Sequence, residues 1–158
     1  MAPRLLRPVP LGFADEAPVR MVFTRHLTAP PEAVYGALAE DAPGWARWFA
    51  AVSKAQSFEG GRRVRLKGGI RFTETVLAAK PAERYAYRVE QTNAPGITAL
   101  LEDWRLSPTP GGTRVDWVWA ADGPALVRGA IALARPGLNR AFGQAMRALD
   151  ARLGKTGG

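Results

Sequence analysis

The chain has 158 residues, 47% of them hydrophobic, with no cysteine, one histidine and a formal net charge of +8. That length and composition fit one domain with one core, and no apolar run reaches the length of a membrane span. Without cysteine, disulfides, thiol nucleophiles and thiolate metal sites are excluded, which fits a cytoplasmic location.

Residues 1–17 mix Arg4 and Arg7 with apolar residues and are interrupted by Pro3, Pro8 and Pro10. No cleavage site follows an apolar stretch, so they read as an N-terminal arm or tail. Val19 to Leu27 alternates as a strand, with Met21, Phe23 and Leu27 on one parity and Arg25 as a polar intruder. Pro30-Pro31-Glu32 opens a helix, with Thr28 as its expected N-cap. A second short helix is expected over Trp45 to Val52, where Trp45, Trp48, Phe49 and Val52 fall at helical spacing.

Val64 and Leu66 lie in a strand whose other face carries Arg63, Arg65 and Lys67. A two-residue Gly68-Gly69 loop would put the apolar residues of the flanking strands on opposite faces. Opposing Leu66 to Phe72 restores one apolar face, and needs an odd-length loop or a glycine bulge. Tyr85, Tyr87 and Val89 alternate with Arg84, Arg88 and Glu90 in the following strand. A late hairpin turns at Pro108 to Gly112, placing Leu100, Glu102, Trp104 and Leu106 with Val115, Trp117 and Trp119. On its other face Arg105 is expected opposite Asp116. Asp122 and Pro124 start a long helix, which Pro136-Gly137 should kink or break. Beyond the break, Leu138, Phe142, Ala145, Met146, Leu149 and Leu153 form its apolar stripe.

The order is strand, two short helices, six strands, long helix. With Leu27-x-Ala29-Pro30-x-Glu32-Ala33-Val34, Trp48, Glu74-Thr75-Val76, Tyr85-Ala86-Tyr87-Arg88 and the Trp104 to Trp117 hairpin, it resembles the START-like, helix-grip superfamily. The nearest branch is similar to the polyketide cyclase/dehydrase and lipid-transport family. The resemblance implies an α+β fold over residues 18–154: a curved seven-stranded antiparallel sheet gripping a Pro136-kinked C-terminal helix, with 155–158 disordered. It also implies a cavity between sheet and helix for an apolar or aromatic small molecule.

Two acids, Glu74 and Glu102, stand on apolar strand faces. In a dry cavity their pKa values rise, and either becomes a candidate catalytic acid or base or a ligand anchor. The alternative is a structural charge neutralised by an arginine such as Arg25. Tyr85 and Tyr87 are either ligand hydrogen-bonders or core aromatics with a polar tip. Trp45, Trp48, Phe72, Trp104, Trp117 and Phe142 complete the expected lining.

His26 lies on the polar parity of its strand, and no triad or metal set can be assembled around it. The sequence calls for no cofactor. Arginines are spread along the chain and interleaved with acids, so nucleic acid is not the expected partner. The one local cluster, Arg62, Arg63, Arg65, Lys67 and Arg71, is either a surface for an acidic partner or a solvated sheet edge. The leading expectation is therefore a small-molecule binder. A cyclase- or dehydrase-type enzyme using the carboxylates is the alternative, and partner or nucleic-acid binding through the 62–71 hairpin is the third.

Overall fold

A computed structural model describes residues 2–156. The elements are β1 (Arg4–Leu5), α1 (Phe13–Glu16), β2 (Val19–Leu27), α2 (Pro31–Ala39), α3 (Trp45–Trp48), β3 (Val52–Phe58), β4 (Gly61–Leu66), β5 (Arg71–Lys80), β6 (Arg84–Thr92), β7 (Ala99–Thr109), β8 (Gly112–Asp122), α4 (Ala125–Leu133) and α5 (Arg135–Thr156). Seven strands form one antiparallel path in the order β2-β8-β7-β6-β5-β4-β3, and short β1 pairs with β6. Strands β2 and β3 therefore occupy opposite edges. Helices α2 and α3 carry the chain between them across one face, and α5 packs on β2 and α3. This is the expected α+β helix-grip arrangement.

Strand parity builds the inner face. Met21 opposes Trp119 and Phe23 opposes Trp117 on β2 and β8; Trp104 opposes Trp117 on β7 and β8. Phe142, Ala145, Met146 and Leu149 of α5 close onto these rings and are buried. Burying each large side chain contributes about 1.5–3 kcal/mol, which makes this face the main source of stability. Arg105 does oppose Asp116. Its ion pairs, however, run to Asp103 and Asp15, while Asp116 is held by Thr24 and Arg114.

Several local expectations are corrected. The helix expected over Trp45 to Val52 stops at Trp48, because Phe49 is extended (φ −101°, ψ 101°) and Val52 begins β3. Thr28 does not cap α2, which starts at Pro31 behind Pro30. Instead the Thr28 amide and hydroxyl and the Ala29 amide donate to the Asp150 carboxylate of α5 at 2.9–3.0 Å. Asp122 ends β8 and does not cap α4, whose N-cap is Pro124.

The β4–β5 turn is odd, as parity requires, but Val64 rather than Leu66 opposes Phe72. The Leu66 amide bonds the Ile70 carbonyl at 2.7 Å, leaving a Lys67-Gly68-Gly69 loop. Gly68 and Gly69 have φ of +93° and +94°, a region glycine enters at no steric cost. The long helix breaks at Ala134, so Pro136 falls in the first turn of α5, where its missing N–H costs nothing.

The N-terminal residues pack on the outer face. Val9, Phe13 and Ala14 form a second buried cluster with Ala99, Leu101, Val118 and Ala120. Of the end expected to be disordered, 155 and 156 belong to α5, and 157 and 158 lie outside the described residues.

Candidate functional site

Arg62 and Glu74 face each other across β4 and β5. Arg62 shares the parity of Val64 and Leu66, so it points inward and not into the basic surface cluster where sequence proximity had placed it. Arg62 keeps 3% and Glu74 1% of its surface, and Arg62 Nε donates to Glu74 Oε1. Gly61 makes the close pairing possible: a Cβ there would stand 2.0 Å from the Glu74 carbonyl oxygen. The Arg62 guanidinium lies 4.1 Å from the Trp45 ring centroid and 4.4 Å from that of Tyr87, so aromatic faces hold it on two sides. Arg25, the arginine expected near the acids, instead donates to Asn139 on α5 and covers the Phe142 ring.

The second acid sits two strands away. Tyr87 and Glu102 oppose each other on β6 and β7. The Tyr87 hydroxyl donates to Glu102 Oε1 at 3.1 Å, and Trp117 Nε1 donates to the same oxygen at 2.9 Å. Trp104 Nε1 in turn donates to the Tyr87 hydroxyl oxygen at 3.3 Å. The chain Trp104–Tyr87–Glu102–Trp117 is thus set by strand pairing, with both donors to the acid arriving at one carboxyl oxygen.

Burial dominates the electrostatics. It pushes the Glu102 carboxyl up to about 7, with Glu74 nearby adding to the rise and Arg62, Trp117 and Tyr87 opposing it. Glu74 is also raised by burial, against the pull of Arg62. Burial disfavours the Arg62 charge, but Glu74 together with Tyr87 and Tyr85 more than offsets it, and the guanidinium stays charged. The Tyr87 hydroxyl is held well above its ordinary value by burial and by Glu102, so it stays a donor. A protonated Glu102 leaves the site near neutral, and its ionisation adds an uncompensated negative charge. Arg62 Nη1 is buried and has no hydrogen-bond partner among the described residues.

These groups line a cavity of about 190 Å³ between the sheet and α5. Of the residues expected there, Trp45, Phe72, Glu74, Tyr87, Glu102 and Trp117 line it. The other four do not. Trp48 packs on Trp45 and Phe49, and Trp104 lies behind Tyr87, fully buried. Phe142 is enclosed by Phe23, Trp104 and Trp117. Tyr85 borders a separate depression near Tyr35 and Phe58, which Arg62 also reaches.

Residues not foreseen in the lining include Arg62, Phe49, Trp119, and Leu138 and Ala141 of α5. Parity carried the signal for Arg62, and Trp119 shares the parity of Trp117 on the inner side of the hairpin. Among the described residues, no group of three or more His, Cys, Asp or Glu side chains could hold a metal ion. No described helix is long and apolar enough to cross a membrane.

Comparison with known proteins places this geometry in context. The family described as polyketide cyclase / dehydrase and lipid transport matches residues 18–154. An uncharacterized protein of Mycobacterium tuberculosis is 32% identical over 148 residues, covering 89% of this chain and 88% of that protein. Among solved structures, the Zhui aromatase/cyclase of a Streptomyces species superposes with a TM-score of 0.69 at 19% identity, over 87% of this chain and 94% of that one. A START superfamily protein of Mycobacterium smegmatis gives 0.65 at 12% identity, over 87% and 98%. At these identities the two structures speak for the fold alone.

Proposed function

Because the chain belongs to the polyketide cyclase / dehydrase and lipid transport family, we propose that its cavity binds a compact apolar or aromatic molecule carrying an acceptor oxygen. The observation that carries this reading is Arg62 Nη1. It is a buried donor without a hydrogen-bond partner among the described residues, on a side chain that lines a cavity otherwise walled mainly by aromatic and aliphatic residues. Leaving such a group unsatisfied costs about 1–3 kcal/mol, which a ligand oxygen would recover. Size supports a small occupant. The 190 Å³ cavity is below the roughly 300–1,000 Å³ of ordinary ligand pockets. It is near the roughly 150 Å³ that accepts a benzene-sized molecule. One or two rings fit that volume, and a long chain exceeds it. Native mass spectrometry of freshly purified protein tests the reading. A copurifying small organic molecule is the expected result, and a uniformly empty protein that also fails to take up bicyclic ketones would end it.

A second reading has one specific support. Glu102, poised near neutral pH by burial and oriented by Tyr87 and Trp117, is equipped to give or take a proton from a bound carbonyl compound. This is the cyclase- or dehydrase-type reading. Once a substrate is identified, unchanged turnover in Glu102→Gln would remove it.

A further inference from the structure

The outer face of the sheet handles its cations in two different ways. On β6, β7 and β8 each arginine of that face has an acid. Arg84 and Arg105 oppose each other directly, and the fully buried Asp103 carboxylate binds both, at 2.6 and 2.9 Å. Arg88 pairs with Glu90 and Arg114 with Asp116. On β3, β4 and β5 the arrangement is the reverse. Lys54 opposes Arg65, and Arg65 opposes Arg71, so three exposed cations form one row across three strands. None of them has an acidic partner among the described residues. Like charges set directly opposite destabilise a sheet, so this row holds repulsion that the fold does not relieve.

The next row is Gln56, Arg63, Thr73 and Gln91, again directly opposed and all capable of donating hydrogen bonds. The two rows and Pro3 of the N-terminal arm bound a groove of about 290 Å³. It lies on the face opposite the cavity and shares no charged side chain with it.

We propose that this groove binds a small anion carrying two or more phosphate groups. The row spans about 10 Å, two inter-strand spacings, which suits linked phosphates better than one. Arginine forks recognise phosphate oxygens in pairs, and the flanking amide and hydroxyl groups supply further donors. The bounded volume favours a small molecule over a duplex or a membrane surface.

Calorimetric titration of the whole protein with inorganic pyrophosphate at low ionic strength tests this. Saturable binding is expected, tighter than for orthophosphate and weakened by added salt. Arg65→Gln with Arg71→Gln should weaken it at least tenfold, and Lys54→Gln alone about threefold. Arg114→Gln, on the paired side of the sheet, should leave it unchanged. All four positions are exposed, so the variants should fold. No saturable binding, or equal loss in Arg114→Gln, would overturn the proposal. So would binding to anionic vesicles or to DNA in the absence of pyrophosphate binding, which would assign the groove to a macromolecular surface.

Discussion

Arg62 and Glu74 oppose each other on neighbouring strands and form an ion pair that is almost wholly removed from solvent. Such a pair contributes little net stability against an apolar pair, yet breaking it is expensive because one charge is left buried alone. Arg62→Met and Glu74→Gln should each destabilise the protein, Arg62→Met by about 3–5 kcal/mol. The double variant should recover much of that loss. Urea unfolding of all four proteins checks this, and simple additivity would show that the two side chains do not act as a pair.

Glu102 gives the stability curve a defined slope. Its folded pKa, about 7, lies above the ordinary carboxyl value of 4.5. Below about 4.5 the carboxyl is protonated in both states and costs nothing. Between about 4.5 and 7 the unfolded chain releases the proton while the folded one keeps it, so stability falls as pH rises. The loss levels off above 7 at about 3 kcal/mol, from 1.36 kcal/mol per pKa unit. Glu102→Gln removes this contribution. Denaturant midpoints at pH 5 and pH 8 should therefore differ less in the variant than in the parent, and an identical difference would refute the assignment.

The Asp150 carboxylate accepts bonds from Thr28 and Ala29, tying α5 to the joint between β2 and α2. Asp150→Ala hands the exposed Thr28 donors to water and leaves the part-buried Ala29 amide without its partner, which should cost about 1 kcal/mol. Hydrogen exchange offers a local readout: the Thr28 and Ala29 amides should lose protection before the β7–β8 amides do.

Parity made much of this legible. It set the inner face of the late hairpin and the need for an odd turn after Leu66, and charge complementarity then set Arg105 opposite Asp116. The same rule applied to Arg62 puts it beside Val64 and Leu66. Chain proximity to Arg63, Arg65 and Arg71 obscured that, because charge draws the eye to the surface. The end of α3 was not legible. Trp45, Trp48, Phe49 and Val52 satisfy a helical spacing, and only the demand of β3 for a partner in β4 pulls Val52 into a strand. The N-terminal arm was also silent, since Val9 and Phe13 follow neither period and are buried against Leu101 and Val118 of the outer face. Trp48, Trp104, Phe142 and Tyr85 lie outside the cavity lining for a packing reason. Rings on the inner face pack on one another and fill most of the space.

In the proposed role, Arg62 donates to a ligand oxygen inside an aromatic cavity. Trp45 and Trp117 line that cavity, so tryptophan fluorescence reports on its occupant. The direct measurement is titration with 1-tetralone and with tetralin, two bicyclic molecules that differ by one carbonyl oxygen. Tetralone should bind at least tenfold tighter than tetralin, and Arg62→Met should abolish the difference. Equal affinities in the unaltered protein, or no binding of either, would contradict that role.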